Sequence, residues 1–96
     1  MTRKSIYKPE YKVLLRLLRE MRTKAHPNQA SLAALLKGRK QPYISDVERG
    51  SRRLDLLQLR EFCMACDQDL VGFVRKFEEE IADGTSAPKL QKAADH

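Results

Sequence analysis

From residue 9 to residue 82 the apolar side chains recur at intervals of three and four, and nowhere do they alternate over the length of a strand. That periodicity confines the chain to an all-α fold. Tyr11, Leu14, Leu15, Leu17, Leu18 and Met21 form the stripe of a first helix. Pro9 sits in its opening turn, where a missing amide costs nothing. The stripe breaks at Ala25-His26-Pro27, because proline disfavours helical backbone in the residue before it. Asn28 is suited to cap a second helix from Gln29 to about Lys37, with Leu32, Ala33, Leu35 and Leu36 as its apolar side and Gly38 as its stop. A third helix begins near Gln41-Pro42, turns Ile44 and Val47 inward and ends at Gly50. Asp55 caps a fourth that places Leu56, Leu57, Leu59, Phe62, Cys63 and Cys66 on helical spacing. Asp69 caps a fifth, which runs from Leu70 to about Ala82.

The expected organisation is a basic arm over 1–8, one folded unit over 9–82 and a disordered tail over 83–96, where the composition turns polar. Ninety-six residues hold one core and no second. No apolar run approaches the ~20 residues of a membrane span, and no signal-peptide core follows the basic start, so the expected address is the cytoplasm. Two cysteines make no disulfide framework.

The net charge of +6 is spread unevenly. Residues 1–27 carry +6 and residues 28–53 carry +4, whereas residues 54–82 carry −4 and the tail is neutral. A basic front half suits a polyanion, and an acidic back half suits a different use.

Signals of catalysis are weak by comparison. Cys63-Met64-Ala65-Cys66 invites a zinc or redox reading, but two further ligands are missing, and both thiols lie on the apolar stripe of the fourth helix as core filler would. His26 reads as a turn residue, and Glu78-Glu79-Glu80 as a solvated face. No catalytic residue, metal site or cofactor is expected.

Two short helices joined by a tight connection inside a basic half form the pattern of a helix-turn-helix. The residues sharpen it. Gln29-Ala30-Ser31-Leu32-Ala33, followed by Tyr43-Ile44-Ser45-Asp46-Val47-Glu48-Arg49-Gly50-Ser51-Arg52-Arg53-Leu54-Asp55, resembles the phage repressor/Cro type, or xenobiotic-response-element family, of bacterial and phage regulators. The resemblance spans about Tyr11 to Leu70 and implies a five-helix, lambda-repressor-like DNA-binding domain with the second and third helices as its reading unit.

By that resemblance Gln41, Pro42, Tyr43 and Asp46 face base edges in the major groove. Gln29, Arg49, Arg52 and Arg53 hold backbone phosphates, Gln29 also helps to brace the third helix, and Arg22 pairs with Glu48; apart from the resemblance, the charges of Arg39 and Lys40 most simply meet phosphates too. The chemistry of the residue types agrees with these roles. Glutamine bonds adenine in a forked manner, aspartate accepts from cytosine N4, tyrosine offers a hydroxyl to phosphate and a ring to a thymine methyl, and arginine forks onto phosphate. The chain departs from the family pattern by one extra residue between Leu36 and Ile44, by Pro42, and by His26 and Asp67 at positions where helix-ending glycines are usual.

The expected function is repression by sequence-specific binding of double-stranded DNA. A homodimer would engage a pseudo-palindrome whose half-sites lie ~10–10.5 bp apart. Leu70, Phe73, Val74, Phe77 and Ile81 of the fifth helix are the expected dimer surface, being more apolar residues than one thin bundle needs. No membrane partner and no small-molecule effector are expected. Two other readings stand beside this one: an antitoxin-like interaction module whose DNA binding is autoregulatory, and a basic helical module that binds RNA or membrane surface without sequence preference.

Overall fold

A computed structural model describes residues 8–84, and among them the chain is five helices with no strand. These are α1 (Pro9–Ala25), α2 (Gln29–Ala33), α3 (Gln41–Arg49), α4 (Leu56–Ala65) and α5 (Leu70–Gly84). The N-terminal arm and the tail beyond residue 84 lie outside the described residues. Asp83 and Gly84, expected in the tail, complete the last turn of α5.

Each helix boundary has a local cause. The Asn28 side chain accepts from the Ser31 amide at 2.9 Å, satisfying one of the donors that the start of α2 leaves open. Asp55 and Gln58 form a reciprocal capping box at the start of α4. Gly50 closes α3 at φ +86°, and the amides of Ser51 and Arg52 turn back onto the Asp46 carbonyl at 3.0 and 3.2 Å. Of the two residues standing in for glycine, Asp67 does take the left-handed conformation, at φ 63°. His26 does not: it ends α1 in extended backbone at φ −140°, so no strain resides there.

Three expectations need correction. Helix α2 stops at Ala33 rather than near Lys37. The following amides, Leu35 to Leu32 and Leu36 to Ala33, bond three residues back, which tightens the chain and rotates Leu36 into the core while leaving Leu35 59% exposed. In α4, Leu56 and Leu57 point outward, because the capping box sets the first turn with Leu59, Phe62 and Cys63 inward.

The third correction follows from the second. With two leucines of α4 outside, α5 must complete the core. Phe73 and Ile81 are buried, and Leu70 and Phe77 pack partly against the same cluster. The apolar stripe of α5 is therefore core and not a spare dimer surface; of the five residues expected there, only Val74 is exposed.

Leu17, Leu18 and Met21 of α1, Leu32 and Ala33 of α2 with Leu36 after it, Tyr43, Ile44 and Val47 of α3, and Phe62, Cys63 and Cys66 around α4 make up the rest of the core. Helix α1 is the spine, touching both α3 and α5. Through it the α2–α3 pair is anchored to the remainder of the molecule.

Candidate nucleic-acid interface

Helix α3 divides cleanly by period. Tyr43, Ile44, Val47 and Glu48 are buried, while Gln41, Pro42 and Arg49 are exposed and Ser45 and Asp46 are partly so. The outer residues fall at i, i+4 spacing, one stripe along the solvent side. Pro42 stands in the first turn, where proline is tolerated, and adds no donor to that stripe.

A chain of hydrogen bonds runs from α1 to the tip of α3. Arg22 donates to Glu48 through Nε at 2.8 Å and Nη2 at 2.9 Å, a forked pair with both side chains almost wholly removed from water. Arg22 Nη1 also donates to the Pro27 carbonyl at 3.2 Å, so the guanidinium also braces the turn after α1. Gln29 Nε2 donates to Glu48 Oε1 at 3.0 Å, and Gln41 Nε2 donates to Gln29 Oε1 at 2.6 Å.

Burial alone would raise the Glu48 carboxyl above its ordinary value. The bonds from Arg22 and Gln29, with the charges of Arg22 and Arg19, outweigh that and hold it below. Arg22 is raised in turn, first by its bond to Glu48. Arg19, 3.7 Å from Glu48, was not singled out by sequence; its place one turn before Arg22 on α1 is the signal that could have found it.

Gln29 and Gln41 thus meet each other, and the Gln41 amide is held by one hydrogen while its oxygen remains free to accept. Asp46 and Arg49 also meet: Arg49 forks onto Ser45 Oγ at 3.1 Å and onto the Asp46 carboxylate. The residue expected to read cytosine and the residue expected to hold phosphate thus neutralise each other. Ser45, the third member of that cluster, is one turn from Gln41 and shares its face.

Tyr43 is placed differently from the expectation that it faces bases. The residue is 9% exposed, and its ring packs at a tilt on Phe62, with centroids 6.1 Å apart. The Arg39 guanidinium lies 4.3 Å and the Arg52 guanidinium 5.2 Å from its centroid. Burial pushes the Tyr43 phenol up despite those two positive charges. Lys40, Arg52 and Arg53 are exposed in the segments before and after α3, and Arg39 is half-buried.

Away from α3, Cys63 and Cys66 are free thiols buried in the core and pushed up to about 11 by desolvation. No cluster of metal-ligating side chains occurs among the described residues. His26 Nε2 lies 2.8 Å from the Ala65 carbonyl and ties the end of α1 to the end of α4. A cleft of about 680 Å³ between α1 and the α4–α5 turn has no lining residue from α3. No described helix is long and apolar enough to cross a membrane.

Neither a protein-family model nor a curated protein matches the chain. Among solved structures it is similar to an XRE-family like protein from Pseudomonas syringae pv. tomato str. DC3000, with 38% identity and a TM-score of 0.71. The match covers 80% of this chain and 93% of that one. With the paired short helices, the Gly50 turn and the outward stripe of α3 already in place, that likeness over nearly the whole relative shows that the chain belongs to the XRE family of helix-turn-helix regulators.

Proposed function

We propose that the protein represses transcription by binding a pseudo-palindromic double-stranded DNA operator as a homodimer, in the cytoplasm of a bacterium or in a phage-infected cell. One observation carries the reading: α3 presents a polar stripe to solvent while a buried, forked ion pair to α1 fixes its orientation. A helix held that way meets the groove with its angle already set, so little ordering is lost on binding. Gln41, Pro42 and Asp46 are assigned to base edges. Gln29, Arg39, Lys40, Arg49, Arg52 and Arg53 are assigned to phosphates. Asp46 must release Arg49 to do so, and each then finds its own partner on DNA.

The second protomer is assigned to the exposed side of α5, where Val71 and Val74 lie three residues apart. Leu57 and Met64, seven apart on α4, are further exposed apolar positions. The protein is read as a non-enzymatic regulator that needs no effector.

The test is selection of sites from random duplex, followed by binding at several salt concentrations. Six phosphate contacts per dimer would give a slope of log K against log [salt] of about −5. Selection of a symmetric site with such a slope supports the reading. A flat salt dependence, or selection of no sequence, overturns it.

A further inference from the structure

Tyr43 has the wrong surroundings for a residue that reads DNA and suitable ones for a different task. Its ring is sealed between the core, through Phe62, and two guanidiniums. Those guanidiniums come from separate stretches of backbone: Arg39 from the connection before α3, and Arg52 from the segment after it. Nothing in the backbone requires residues thirteen apart, on opposite sides of a helix, to bring their charges together. Like charges repel, and a half-buried and an exposed arginine left to themselves would separate. The ring supplies the attraction that opposes this, because its negative face draws cations within about 6 Å of its centroid.

Resting on the DNA-binding reading, we infer that Tyr43 is a positioning residue: its buried ring gathers Arg39 and Arg52 into one paired phosphate clamp beside the reading helix. The separation of the two guanidinium carbons cannot exceed the sum of their distances to the ring centroid. The clamp is therefore compact enough to address a single stretch of DNA strand. Arg39 is half-buried and Arg52 exposed, so the pair retains a solvent side from which N–H donors reach phosphate. Arginine is suited to this double use, since a guanidinium drawn to a ring by its charge still carries N–H donors at its edge. The arrangement also explains how an aromatic residue is accommodated at a helix position flanked on the outer side by Pro42 and Asp46: its role is exercised through its neighbours.

The experiment compares parent, Tyr43→Phe and Tyr43→Leu on a random-sequence DNA duplex, with folding of each checked by circular dichroism. Tyr43→Phe keeps the ring and should bind within about twofold of the parent, whereas Tyr43→Leu loses two cation–ring contacts and should bind on the order of tenfold more weakly, with a shallower salt slope. Equal losses in both variants would mean that the hydroxyl itself touches DNA, which overturns the inference and restores Tyr43 as a contact residue. Parent-like binding by Tyr43→Leu overturns it as well, while leaving the DNA reading intact. A parent protein that binds no duplex defeats that reading, and the clamp with it. Side-chain Nε relaxation of the free parent needs no variant at all. Arg39 and Arg52 should be more ordered than exposed Arg75, and equal mobility of the three rules the clamp out.

Discussion

Glu48→Ala is the substitution whose consequences reach furthest. The carboxylate accepts from Arg22 twice and from Gln29 once, and its side chain is 1% exposed. Removing it strands a guanidinium that is 8% exposed. Breaking a buried pair by deleting one partner costs ~3–5 kcal/mol. Here the lower end applies, because Arg22 keeps the Pro27 carbonyl as an acceptor and bends toward the turn rather than being orphaned. At roughly 4–8 °C per kcal/mol for a domain of this size, a loss of ~3 kcal/mol lowers Tm by about 12–24 °C.

The effect should carry a pH signature. Glu48 titrates below its ordinary value of 4.5 in the folded chain, so its contribution is complete above that value and fades as pH falls through the lower, folded one. Parent and Glu48→Ala should therefore differ most near neutrality and converge in acid. Gln29 loses its acceptor in the same step, and operator affinity should fall at temperatures where the variant is still folded. Arg22→Met with Glu48→Leu should restore much of the melting temperature without restoring the Gln29 contact. Thermal melts followed by circular dichroism at neutral and acidic pH decide the matter. A Glu48→Ala melt within two or three degrees of the parent would refute the argument that this pair locks α3 to α1.

Further outcomes follow for the interface, the core and the thiols. Gln41→Ala should weaken the selected operator by ~1–3 kcal/mol while barely changing random duplex, and Arg53→Ala should weaken both alike, as read in parallel gel shifts. Phe73→Ala should cost ~3–5 kcal/mol in urea unfolding, whereas Val74→Lys should leave folding unchanged and shift sedimentation toward monomer; an unaltered dimer would remove α5 from the protomer contact. Cys63 and Cys66 should resist a thiol reagent in the native state and react fully in denaturant. Their raised folded pKa values also predict stability that is complete below pH 9 and declines as pH rises toward 11, a decline that Cys63→Ala/Cys66→Ala should blunt in alkaline melts.

Fold class and helix order were legible because periodicity and punctuation agree. Pro9, Asn28, Gly50 and Asp55 each mark a boundary through its own backbone chemistry, and each acts there in the structure. The misread positions share one cause: an apolar residue at a helix end belongs to two possible faces, and tertiary packing chooses. Leu35, Leu56 and Leu57 fell outside for that reason, while Phe73 of α5 is buried in the core. Tyr43 was misplaced by a related ambiguity. A tyrosine beside arginines has the same composition whether it faces base edges or turns into the core, and only tertiary packing against Phe62 puts it inside. The link from Gln41 through Gln29 to Glu48 joins residues up to nineteen apart, and no short-range pattern announces it.

That link constrains anyone who would retarget the protein. Gln41 touches the bracing network through a single exposed amide, and the outer positions Pro42, Ser45, Asp46 and Arg49 do not touch it at all. These five can be randomised as a library with little loss of folded protein, and new operator preferences should be recoverable from them. Gln29 and Glu48 offer no such freedom, since a change there perturbs the carboxylate on which Arg22 depends. On the DNA-binding reading proposed above, α3 is thus split into a variable outer alphabet and a fixed inner grammar, and the dividing line runs through the Gln29–Gln41 hydrogen bond.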